Sequence, residues 1–220
     1  AKTFGVVAAG KGEGDARIID VVEMAAGLPL TSGARDGHPD TPTEEKLRNF
    51  DLWLAALQGQ AATVQKALDH GAQVDWELPD SDDSALIYKR RRVSCQAIHA
   101  AAAHTSSGWE RAHDVVEVLL NNGADVKAKA RINAGDGHIR ELQAIHIAAG
   151  SGNVRTVAVL IRYGADPDAQ ATMDGAKHYM PIHDAAWFNR VSSVQGLLDN
   201  RAKVDSQNSD GSTALHLAAA

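Results

Sequence analysis

QAIHAAA at 96–102 and QAIHIAA at 143–149 spell one seven-residue phrase twice. Two looser copies follow, PIHDAA at 181–186 and ALHLAA at 214–219. Their histidines are His99, His146, His183 and His216, so successive copies stand 47, 37 and 33 residues apart. A second marker trails the phrase: NGADV at 122–126, YGADP at 163–167 and NRAKV at 200–204, with an earlier HGAQV at 70–74 whose own phrase has drifted to DLWLAAL, 51–57. The unit is therefore a tetrad, about twenty residues and a turn, and self-similarity of this length marks a stacked repeat.

Between tetrad and turn runs a one-sided apolar stripe. Val154, Val157, Ala158 and Ile161 stand at helical spacing, as do Val115, Val118 and Leu119, and Val64, Ala67 and Leu68. Gly71, Gly123 and Gly164 stop each helix where a left-handed residue is needed. Pro181 sits where a first helical turn tolerates a missing donor. Two short helices cannot bury an apolar face alone, so neighbouring units must stack.

These features resemble the ankyrin repeat family. NSDGSTALHLAA from Asn208 is similar to the family's D-x-x-G-x-T-P-L-H-x-A-A opening, Pro181 matches its proline, and VRTVAVLIRYGADPDA (154–169) matches its second helix and turn. The resemblance covers 43–220 and, weakly, 1–30, where VVAAGKG precedes IIDVVEMAAG. It implies an all-α solenoid of about five repeats plus a truncated sixth, with β-hairpin fingers. The expected organisation is a degenerate first repeat over 1–30, a linker over 31–42, and repeats over 43–76, 95–128, 142–170, 179–208 and, in part, 209–220.

Two departures carry consequences. Arg201 occupies the glycine position of its turn, which predicts strain at that helix end. The sequence stops at Ala220 inside an inner helix, so further repeats or a partner subunit are expected to cover that end. The long spacers put their excess into 76–94, 127–142 and 167–179, which carry the turn sequences DSDDS, AGDG and MDG and read as enlarged hairpin fingers. A further insertion, HTSSGWERAH at 104–113, separates two helices of one repeat and contains Trp109.

Composition narrows the function. The 220 residues are 44% hydrophobic and 23% charged, the pattern of a folded chain, and only 5% aromatic, which suits thin helices. A net charge of −6 argues against a nucleic-acid binder. A lone cysteine, Cys95, excludes an internal disulfide framework and fits a reducing, intracellular compartment, cytoplasmic rather than nuclear. No apolar run is long enough to span a membrane.

No catalytic motif emerges: G-x-S-x-G, H-E-x-x-H and paired cysteines are missing, and no cofactor or metal is expected. The four tetrad histidines, one per layer, are too far apart for shared coordination and are expected to tie turns to the backbone. GKGEG at 10–14 lacks phosphate-loop spacing, and HPD at 38–40 lacks the basic helix of a J-domain, so both read as loop. KRRR at 89–92 is the densest charge, and R-R-V-S ending at Ser94 resembles a basophilic kinase site, making Ser94 a candidate for phosphorylation. Trp187 and Phe188 follow an A-A pair where other copies place small or polar residues, as an interface anchor would.

The expected function is a non-catalytic scaffold that holds another protein, one with an acidic surface, between its fingers and inner helices. The contact candidates are Tyr88, Lys89, Arg90, Arg91, Arg92, Arg131, His138, Arg140, Lys177, His178, Tyr179, Trp187 and Phe188. The alternatives are a substrate-recruiting arm of a larger enzyme and a structural subunit of a stable assembly.

Overall fold

A computed structural model describes residues 44–78, 93–103, 112–133, 139–173, 176–177 and 179–219. The expected repeat over 1–30, the linker at 31–42, GKGEG, HPD, KRRR and most of the 104–113 insertion with Trp109 lie outside the described residues.

The described helices alternate inner and outer. The pairs are α1 (Glu44–Leu57) with α2 (Ala61–Asp69), α3 (Ala97–Ala102) with α4 (Ala112–Asn121), α5 (Ala144–Ser151) with α6 (Val154–Arg162), and α7 (Pro181–Trp187) with α8 (Val191–Asp199); α9 (Ala214–Ala219) opens one more layer. Each inner helix packs on the inner helices before and after it, and each outer helix on the outer ones. The core follows from this: Ile98, Ile145 and Ile182 from inner helices, with Leu119, Leu160 and Leu197 from outer ones, are all fully buried.

The turn marker now has a structural meaning. After α2, Gly71 takes φ +86°, its N–H donates to Leu68 O, and the N–H of Ala72 reaches back to Ala67 O. This paired closure of a helix end uses a left-handed residue followed by an alanine. It recurs with Gly123–Ala124, Gly164–Ala165 and Arg201–Ala202. Arg201 does adopt φ +68°, so the fourth turn keeps the geometry without the residue that adopts it freely. Asp125 and Asp166 complete two of these turns by accepting, on a side-chain oxygen, the N–H two residues on.

One feature exceeds the expectation of separate fingers. Strands β1 (Val93–Ser94), β2 (Lys129–Asn133), β3 (Ile139–Gln143), β4 (Thr172–Met173) and β5 (Ala176–Lys177) form a single antiparallel sheet in sequence order. Fingers from three successive layers thus hydrogen-bond to one another, β1 to β2 and β3 to β4, as well as within themselves. The spacing explains it. A hairpin two strands wide, at about 4.8 Å per strand, matches the roughly 8–10 Å between packed helices, so one finger per layer tiles edge to edge.

The stripe on α6 is phased differently from the sequence reading. Val157 and Leu160 are fully buried with Thr156 and Val159, while Ala158 is exposed and Val154 and Ile161 are only half-buried. An outer helix here is held by its own inner helix and by outer helices on both sides, which turns a broader arc inward than one seam would. Gly196 within α8 marks one such contact: a Cβ there would meet Val154 at 2.6 Å.

Candidate interaction surface

Inner helices α3, α5 and α7 each start where a finger ends, and the tetrad histidine fixes that junction. His146 Nδ1 accepts the Gln143 N–H at 3.3 Å, while Nε2 lies 3.0 Å from Ala169 O and donates to it. His99 repeats this with Gln96 N–H and Ala128 O, and His183 with Met180 N–H and Ser206 O. All three rings are buried. Burial holds His99 below its usual range and lowers His146 to about 4, against the opposing pull of the carbonyls they bond. A neutral imidazole with its lone pair given to one N–H and its proton to a carbonyl has nothing left for a metal. Among the described residues no cluster of metal-ligating side chains occurs.

The first layer fills the same slot otherwise. Leu52 and Trp53 precede Ala55–Ala56 at the offsets with which Ile145 and His146 precede Ala148–Ala149. Trp53 is fully buried, stacks on Phe50 at 6.1 Å between ring centres, and has only the Cys95 thiol for its Nε1 to meet. The Cys95 thiol is pushed up to about 12 by burial, with the Trp53 N–H pulling the other way. A buried, protonated thiol of this kind is chemically quiet.

The sheet presents two unlike sides. Ala130, Ile132 and Leu142 are buried, whereas Lys129 and Arg131 are exposed. Register pairs Ser94 with Arg131, Arg131 with Glu141, Glu141 with Thr172 and Thr172 with Lys177, so these positions form one row across all five strands. Glu141 is the hub of that row, with Lys129 Nζ at 3.4 Å, Arg131 Nε at 3.8 Å and Thr172 Oγ1 at 3.3 Å. Such exposed pairs are worth roughly 0–1 kcal/mol, so they leave the two cations available to a partner.

The sequence-named contact residues divide accordingly. Arg131 lies on the exposed side. Arg140 is half-buried and in register with buried Ile132, on the opposite side, because strand residues alternate. Tyr179 is half-buried and sets its ring edge-on to His146, at 6.0 Å between centres, so it serves the junction. Lys177 is described only in its backbone place on β5; Tyr88, Lys89, Arg90, Arg91, Arg92, His138 and His178 lie outside the described residues.

The inner helices offer less open surface than the sequence implied. Every residue of α3 and α5 is buried, Gly150 and Ser151 included, and Ser151 Oγ donates to Ala103 O at 3.3 Å. Phe188 is half-buried against this wall: a Cβ on Gly150 would lie 3.1 Å from its ring. Trp187 alone of the aromatic pair is exposed, at 39%. Of the sequence-named contacts whose side chains are described, Arg131 on the cationic side of the sheet and Trp187 at the end of α7 are therefore the two left exposed. The alternation KARI over 129–132 was the sequence signal for the first.

Models of the ankyrin repeat match residues 95–131, and of ankyrin repeats in three copies, residues 114–208. The chain is 31% identical over 195 residues to the B-cell lymphoma 3 protein homolog of Mus musculus, covering 89% of this chain and 38% of that protein. It is 26% identical over 168 residues to the transient receptor potential cation channel subfamily A member 1 homolog of Caenorhabditis elegans, covering 76% of this chain and 11% of that one. The chain thus spans well under half the length of both relatives. Among the described residues no helix is long and apolar enough to cross a membrane.

Proposed function

Because this chain belongs to the ankyrin-repeat family, we propose that it is a non-catalytic protein-interaction module holding an acidic partner surface against its strand sheet. The family's repeats are typically interaction modules, and a rigid stack presenting side chains from several layers suits that use. The observation that supports the acidic partner is the exposed side of the sheet. Lys129 and Arg131 stand there 46% and 61% exposed, sharing the single carboxylate of Glu141. KRRR at 89–92 immediately precedes β1 in the sequence. Complementary charge of this kind sets partner choice and encounter rate more than final affinity.

Trp187 supplies the second contact, an exposed indole at the end of α7. Exposed tryptophan is over-represented among residues that dominate interface energy. The test is capture from the native source by immobilised wild-type protein and by two variants, Lys129→Glu/Arg131→Glu and Trp187→Ala, each first shown to melt like wild type. Partners retained by wild type should be lost on charge reversal and released by raised salt, and weakened by the tryptophan change. Identical retention by the charge-reversed variant overturns the reading.

A further inference from the structure

We propose that Ser94 is a phosphate-acceptor serine and a two-position latch at the base of the first finger, held by Glu77 when free and by Arg131 when phosphorylated. Two contacts tie the residues flanking 79–92. Glu77 and Gln96 form an isolated antiparallel bridge in which Leu78 N–H donates to Cys95 O at 3.0 Å, and Ser94 Oγ donates to Glu77 Oε2 at 2.9 Å. Only the second is a side-chain contact, and it depends on a hydroxyl proton. Among the described residues, Ser94 lies on β1, the first strand in the order of the sheet. Its register partner in β2 is Arg131, 61% exposed and no closer than 3.8 Å at Nε to Glu141. Arg91 and Arg92 precede Ser94 by three and two residues, the spacing an arginine-directed kinase reads.

In the transfer, Ser94 Oγ attacks the γ-phosphorus of a nucleoside triphosphate held by the kinase. The bond from that phosphorus to the β-bridging oxygen breaks, the nucleoside diphosphate leaves with the electron pair, and the hydroxyl proton passes to a kinase carboxylate. The product bears about −1.5 to −2 charges near neutral pH and three acceptor oxygens. It has lost the proton that Glu77 accepted and now repels that carboxylate. Arg131, across the strand pair, offers donors that match a phosphate. One modification therefore releases Glu77 and engages Arg131. It also turns the exposed row around Arg131 from cationic to anionic; the consequence for partner capture rests on the function proposed above, but the latch does not.

The folded protein, treated with a cyclic-AMP-dependent kinase catalytic subunit and magnesium–nucleoside triphosphate, should gain one phosphate that maps to Ser94. Ser94→Ala should abolish it, and Arg91→Ala/Arg92→Ala should slow it at least tenfold. Phosphorus NMR then reads the latch without any partner. The phosphate should titrate at lower pH in wild type than in Arg131→Ala, and lower still in Glu77→Gln. Failure of the folded protein to accept phosphate, where the urea-unfolded chain accepts it, overturns the site. A titration indifferent to Arg131→Ala overturns the latch. Either result leaves the capture experiment, run on unmodified protein, to decide the proposed function by itself.

Discussion

The first layer and the third solve one packing problem by different chemistry. At the buried slot two residues before the alanine pair, the third layer has His146, bonded on both ring nitrogens, and the first has Trp53, whose single ring nitrogen faces only the Cys95 thiol. The imidazole ties the start of its helix to the base of the following finger. The indole contributes volume and a stacked Phe50 instead. The slot therefore asks for a flat, buried ring, and the hydrogen bonds are an addition that links one finger to the next.

Breaking the histidine side of this comparison should have the largest effect. His146→Ala leaves a cavity and strands the Gln143 N–H and the Ala169 carbonyl, for a cost of roughly 4 kcal/mol by thermal or urea melting. Acid probes the same ring more gently. Its folded-state pKa, about 4, lies below the ordinary 6.5, so the unfolded chain binds the extra proton between those values. His146 therefore contributes nothing to the pH dependence above 6.5. As pH falls towards 4, stability should drop by roughly 3 kcal/mol on its account, at about 1.4 kcal/mol per unit. His146→Ala should melt with a visibly shallower acid slope.

Trp53→Phe sharpens the contrast from the other side. It removes some volume and also a buried N–H that meets only a thiol, so the net cost should be about 1 kcal/mol. Equal losses for Trp53→Phe and His146→Ala would show that volume alone governs the slot. The smallest change should be a gain. Arg201→Gly relieves a left-handed arginine at φ +68° at the expense of backbone freedom, and should raise stability by roughly 0.5 kcal/mol.

The stack was legible because its cues are local and repeat: a histidine before paired alanines, then glycine and alanine closing the outer helix. DLWLAAL at 51–57 was legible as a drifted copy, but the role of Trp53 in the histidine's place was not, because the letter changed while the shape of the slot did not. Ala158 was misassigned because an outer helix with neighbours on both sides buries a wider arc than one stripe. The joined fingers were not legible at all. β1 meets β2 and β3 meets β4 across whole repeats, and their pairing follows from layer spacing, which no stretch of sequence encodes. Of the candidate contacts, period-two alternation decides between Arg131 and Arg140, and it became usable only once the register was known.

The joined fingers also change how the array comes apart. A stack held by helix faces alone can shed its layers singly from an end. Here, peeling one layer between residues 93 and 177 from the next also means rupturing main-chain bonds of the sheet. Those layers should open as one block, and amide protons in β2 and β3 should exchange with solvent at a common rate.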